Sequence, residues 1–273
     1  MISRLKRIGN LFLTGVLLTG VLTGCSDQLS PKTIFSQMNE SLSEVTSFAN
    51  DVTIDVKLES VVHITESCLE LQMQSTTDPE AGYVKGNALI RLDKTKLESP
   101  MEIYHVHEDG KKVTYSSLDN VWTKEVSSED VSSSGISISQ DFLRNMKNIC
   151  EEFHLAEETV ELYGKDCYEM YGQITGSDLK KLVGEEMLYG YGLIEIPDEK
   201  SLDELLIPIT VDIYTEDLLP ARIFVDMTDE MNELYDEFDG AMNVNDFTID
   251  LKFLDYNEIG LITVPEEVKQ AAM

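Results

Sequence analysis

The residues whose types and spacing come nearest to an ion site are His105-Val106-His107-Glu108-Asp109. Side chains two apart on an extended strand leave it on the same side, and imidazole nitrogen is a good donor to transition metals. Two imidazoles do not complete a tetrahedral set, so no metal site is expected. The pair is read as the solvated side of a strand whose other side carries Tyr104 and Val106. Asp236-Glu237-Phe238-Asp239-Gly240 has the acidic start of a calcium loop, but Phe238 stands at the third ligand position and no glutamate follows at the twelfth. An acidic helix face is expected there. The sequence contains no Gly-x-Ser-x-Gly elbow, no phosphate-cradling glycine loop with Lys and Ser/Thr, and no His-Glu-x-x-His. Gly190-Tyr191-Gly192 reads as a turn. With four histidines, and 51 acidic residues that supply carboxylate pairs by chance, no catalytic residue and no cofactor is assigned. The expectation is a protein that is not an enzyme.

The cysteine with the clearest chemistry is Cys25. Arg4, Lys6 and Arg7 precede a run free of charge from Leu11 to Leu22, the order of basic head and short apolar stretch found in secretory signals. The stretch is too short, and too rich in Gly and Thr, for the roughly 20 apolar residues of a spanning helix. It closes on Leu22-Thr23-Gly24-Cys25, which resembles a bacterial lipobox, where the thiol is acylated and the chain is cut just before it. Residues 1–24 are therefore expected to be a lipoprotein signal peptide, Cys25 the lipid attachment point, and residues 25–30 a short tether. The mature protein is expected on the extracytoplasmic face of the cell membrane. Three further cysteines, Cys68, Cys150 and Cys167, cannot all pair within one chain. A Cys150–Cys167 bridge would close a short loop and stabilise by about 3 kcal/mol; buried thiols account for the same residues equally well.

The formal charge is −30, and loss of three basic residues with the signal takes it to −33. Such a chain is repelled by nucleic acid phosphates and by anionic headgroups. No nucleic acid partner is expected, and attachment to the membrane is left to the lipid.

The elements that follow are mostly strands. Val52, Ile54, Val56 and Leu58 alternate with Thr53, Asp55, Lys57 and Glu59, and Leu69, Leu71 and Met73 alternate with Glu70, Gln72 and Gln74. The pattern returns at Ile207–Ile213, Ile223–Met227 and Phe247–Phe253. One wet face on each strand points to antiparallel pairing. Turns are expected at 78–82, 108–110, 163–166 and 217–220, and a loop at 127–135. Four amphipathic helices are expected. The first is capped by Ser30 with Pro31 at its first position and carries Ile34, Phe35, Met38, Leu42 and Val45. The second carries Phe142, Leu143, Met146, Ile149 and Phe153. The third, capped by Ser177, carries Leu179, Leu182, Val183 and Met187, and the fourth Met231, Leu234, Tyr235 and Phe238. The fold class is α+β: one sheet whose dry face is covered by helices, in a single domain over residues 31–273.

The ending Phe253-Leu254-Asp255-Tyr256-Asn257-Glu258-Ile259-Gly260 to Val264-Pro265-Glu266-Glu267-Val268 resembles uncharacterised Gram-positive lipoproteins with a LolA-like or LppX-like fold. The hairpin from Asp212-Ile213-Tyr214-Thr215 to Leu219-Pro220-Ala221-Arg222 is similar to one of that superfamily. Leu188–Lys200 falls outside its pattern. The resemblance implies a curved antiparallel sheet, a half-barrel, whose concave apolar face is closed by helices and holds a lipid or other hydrophobic ligand. Candidate lining residues are Val52, Ile54, Val56, Leu69, Leu71 and Met73. An envelope protein–protein interaction module, with these residues as a filled core and no small ligand, has the same alternation.

Overall fold

Alternation over Val52–Leu58 and Leu69–Met73 produces two long strands in the computed structural model, β1 (Ser47–Ser60) and β2 (Ile64–Thr77). The structure describes residues 29–127, 143, 145, 146, 148, 152–184, 199–238 and 242–272. The chain continues through β3 (Glu80–Leu92), β4 (Thr95–Glu108), β5 (Lys111–Leu118) and β6 (Val121–Ser127). The short β7 (His154–Leu155) and β8 (Val160–Leu162) come next, then β9 (Lys165–Thr175), β10 (Leu206–Tyr214), β11 (Pro220–Asp226) and β12 (Met242–Tyr256). These strands form one sheet in the order β6-β5-β4-β3-β2-β1-β12-β11-β10-β9-β7, with β8 beside β9. Every neighbouring pair is antiparallel. Strands β6 and β7 stand at opposite ends of that order, and the sheet is not closed into a barrel. All four expected turns fall between neighbouring strands. At Asp109-Gly110 and Tyr163-Gly164 both residues have positive φ, the geometry that a two-residue hairpin loop requires.

Five helices are described. Ser30 Oγ accepts the Thr33 amide at 3.2 Å and Pro31 opens α1 (Pro31–Leu42), which buries Ile34, Phe35, Met38 and Leu42. Helix α2 (Gly176–Val183) begins earlier than expected. Its cap is Thr175, whose Oγ1 accepts the Asp178 amide at 3.1 Å, because β9 runs directly into the helix and leaves Ser177 inside the first turn. Helix α3 (Glu199–Glu204) follows, α4 (Thr228–Phe238) joins β11 to β12 as expected, and α5 (Glu266–Ala271) ends the chain. Phe142, Ile149, Cys150, Met187, Gly190–Gly192 and the loop after Ser127 lie outside the described residues.

Side chains line up across the strands in register. One row runs Ile209–Val225–Ile249–Ile54–Leu69–Ala88, and the next Met170–Val211–Ile223–Leu251–Val52–Leu71–Gly86–Met101. Both rows belong to one buried cluster together with Phe35, Met38, Leu143, Met146, Phe153, Leu179, Leu182, Met231 and Leu234. At the β4–β6 end a second cluster forms on the opposite face. There Tyr104, Val113 and Tyr115 are covered by Val264 and Val268 from the C-terminal segment.

Candidate ligand-binding face

Val52, Ile54, Val56, Leu69, Leu71 and Met73 all point to the helix-covered face, and none is more than 3% exposed. They are brought together by the β1–β2 ladder, where Ile54 faces Leu69 and Val52 faces Leu71. Their surroundings are rich in methionine: Met38, Met146, Met170, Met227 and Met231 share the cluster. Unbranched thioethers repack more readily than branched side chains. Among the polar side chains on this face, Asn50 stands deepest in the apolar row. Asn50 lies two residues before Val52, between Phe253 on β12 and Met73 on β2, and is 1% exposed. Neither its amide oxygen nor its amide nitrogen has a hydrogen-bond partner. A buried amide in that state costs about 1–3 kcal/mol.

The opposite face carries an open cleft of about 380 Å³ that includes His154, Tyr171, Gln173, Pro208, Thr210, Phe224 and Asp226. The His154 and Tyr171 rings lie 5.7 Å apart, and the Arg222 guanidinium sits 4.7 Å from the Phe224 ring centre. Beside it, Asp212 on β10 faces Glu169 on β9 and Arg222 on β11. Arg222 gives both its bonds, at 2.7 and 3.2 Å, to Asp250. Burial, and then the Glu169 charge, push the Asp212 carboxyl up to about 6, and its Oδ1 is unpartnered. A carboxyl whose folded pKa is raised binds more protons in the native state than in the unfolded one. It therefore costs stability as pH rises from about 4 through 6. Asp212→Asn is expected to raise stability by about 2 kcal/mol at pH 7, with the gain fading toward pH 4. Urea titrations at the two pH values check this.

The two histidines do share a face, opposite Tyr104 and Val106, but they serve different partners. His105 Nδ1 lies 3.0 Å from Thr114 Oγ1, and burial lowers its pKa. His107 Nδ1 is 3.2 Å from the Glu80 carbonyl. The expectation of a wholly solvated side is corrected: at His105 the helix-covered face extends into β4, and its ring is withdrawn from solvent. Among the described residues no three His, Cys, Asp or Glu side chains are grouped to hold a metal. Cys68 and Cys167 are free thiols. Burial pushes Cys68 up to about 12 and Cys167 up to about 11, so neither is a nucleophilic thiolate near neutral pH.

The geometry defines an open antiparallel sheet with helices packed on one apolar face. The chain belongs to DUF6612, a family of unknown function, whose pattern matches residues 30–273. Among curated proteins none matches. Of solved structures, the chain is similar to LprF from Mycobacterium bovis, at 12% identity and a TM-score of 0.48, covering 86% of this chain and 96% of that one. It is also similar to the lipoprotein LppX of Mycobacterium tuberculosis, at 18% identity and a TM-score of 0.44, covering 85% and 98%. Among the described residues no helix is long and apolar enough to cross a membrane.

Proposed function

We propose that this is a non-catalytic extracytoplasmic protein, anchored by lipid on Cys25, which holds a hydrophobic molecule, a lipid or acyl chain, between the sheet and its helices. The observation that carries the ligand reading is Asn50. An amide with neither polar atom bonded, flanked by Phe253 and Met73, is suited to the ester, hydroxyl or carboxyl end of a lipid. The methionines around it give the helix–sheet boundary a means of repacking about a chain.

The test uses residues 26–273 without lipid, extracted with organic solvent for mass spectrometry and titrated with a fluorescent fatty acid. A co-purifying lipid and saturable micromolar binding are expected. Asn50→Leu should stabilise the unliganded protein by about 1–3 kcal/mol while weakening binding at least tenfold. An unchanged affinity would remove Asn50 from the reading.

Close packing favours a second reading. The six face residues are fully buried, and the 380 Å³ cleft lies on the other side of the sheet. An interaction module with a filled core would look the same, and it takes precedence if no lipid co-purifies and no saturable binding is found.

A further inference from the structure

Five aliphatic side chains are left in solvent at one end of the sheet: Val61, Val62 and Ile64 in the β1–β2 hairpin, and Leu92 and Leu97 in the β3–β4 hairpin. Val61 is 93% exposed and Val62 73%. The two tips form one unit. The Asp93 amide donates to the Ile64 carbonyl at 3.0 Å, Asp93 Oδ1 accepts the Ile64 amide at 3.1 Å, and Asp93 Oδ2 lies 2.7 Å from His63 Nδ1. The neighbouring β5–β6 turn stops well short of them, since the Asp119 amide bonds the Pro100 carbonyl, about six residues back along β4. An apolar group of this kind, projecting beyond the core on paired hairpins, marks a surface made for something other than water.

Local charge says what that is. Across residues 57–66 and 91–98 the basic Lys57, Arg91, Lys94 and Lys96 balance the acidic Glu59, Glu66, Asp93 and Glu98, in a chain of net charge −30. Three of these residues are tied together, Lys57 and Arg91 both pairing with Glu66. The acidity that elsewhere repels anionic headgroups is cancelled at the tip.

The path of the N-terminus brings the tip and the membrane together. Ser41 Oγ, near the end of α1, donates to the Asp217 carbonyl at 2.7 Å, in the turn at the end of the sheet opposite the 60–64 turn. Phe35, half a helix earlier, meets Phe153 at 5.4 Å, and Phe153 packs on Gly172, level with Ile209 and hence, across the register, with Ile54. Helix α1 therefore leads its N-terminus toward the tip end. From Ile54 to Val62 is about 26 Å along a strand, and α1 recovers about 8 Å of that between Phe35 and Ser30. The remaining 18 Å or so is matched by the roughly 17 Å that the five steps from Cys25 to Ser30 span when extended, so the tip reaches the headgroup level of the bilayer that holds the lipid.

We propose that the paired hairpin tips, through Val61, Val62, Ile64, Leu92 and Leu97, insert among the headgroups of the membrane to which Cys25 is lipidated. The proposal rests on the lipid-anchor reading above. A lipid on so short a tether holds these side chains at the bilayer surface, where their transfer from water is favourable. The sheet then stands on its β1–β4 tips.

The test uses the full lipidated chain in phosphatidylcholine vesicles, with Val62→Trp as reporter in a Trp122→Phe background. Attachment is read separately, by vesicle flotation and by the mass of the acylated N-terminal peptide, with Cys25→Ala as the unanchored control. The expected result is a blue-shifted indole, quenched at least twofold by lipid brominated near the top of its acyl chains. A further Val61→Asp change should relieve the quenching without loss of flotation or of the circular dichroism melt. If the chain is acylated and floats but the indole keeps its aqueous emission and is not quenched, the docking proposal is wrong and the anchor stands. If Cys25 carries no acyl group and the chain does not float, the anchor reading fails and the docking proposal falls with it.

Discussion

Gly86→Ala is expected to cost the fold about 3–5 kcal/mol, as large an effect as truncating a buried leucine. A Cβ at Gly86 would lie 2.1 Å from the backbone carbonyl of Glu70 and 2.6 Å from Leu71 Cδ2. The first of these atoms belongs to the paired strand β2 and cannot turn aside as a side chain can. The second shows why the glycine is there: Leu71 faces Gly86 in the ladder, and its side chain occupies the space that a residue on β3 would fill. Relief requires β3 to shift, which disturbs the row from Val52 to Met101. Gly82→Ala, four residues earlier on the same strand, is the control. There the nearest atoms are 3.8 Å away, ordinary contact, and a change below about 1 kcal/mol is expected. Urea unfolding of the two variants checks the contrast, and similar midpoints for both would show that the close approach at Gly86 is not what holds β2 against β3.

That difference between two glycines of β3 is where the sequence stops being informative. Alternation identifies Val52, Ile54, Leu69 and Leu71 as one face because a strand has a period of two, a local property of the chain. What Gly86 does depends on which residue of β2 lies opposite, and register across a hairpin is set by the whole ladder. The same holds at Asp212. Alternation puts it on the wet side of β10, yet between Glu169 on β9 and Arg222 on β11 it ends up 2% exposed. Asn50 lies on the predicted face by parity, but nothing local says that both of its neighbours, Phe253 and Met73, are without a polar group to offer. Helix α5 was missed for a related reason: six residues carry one buried side chain, Val268, and the cluster that buries it is assembled from β4 and β5. The tips at 61–63 and 93–94 are not among the expected turns, and their mutual clasp through Asp93 needs the third dimension. Cys25 lies outside the described residues, so its assignment rests on the run from Arg4 to Gly24.

Ile54→Asp is expected to abolish cooperative folding at pH 7. Ile54 is fully buried at the centre of the row that links Ile209, Val225, Ile249, Leu69 and Ala88, and strands β1, β2 and β12 meet around it. Its immediate cross-strand neighbours, Leu69 and Ile249, are aliphatic. A carboxylate there would have no donor at either neighbour. Removing an isoleucine side chain alone costs about 2–5 kcal/mol, and leaving a buried charge unpaired adds several more. The sum is comparable with the whole stability of a domain, about 5–15 kcal/mol. Ile54→Val, which keeps the face apolar, should cost only about 1 kcal/mol and serves to show that the position itself tolerates change. Circular dichroism melts of both variants measure the effect. Lowering the pH should restore part of the structure to Ile54→Asp, because protonation removes the charge while leaving the lost volume. Because Ile54 is fully buried in this structure, the penalty falls on folding in either reading of the face, and the two readings are separated instead by the lipid extraction and the titration with fatty acid.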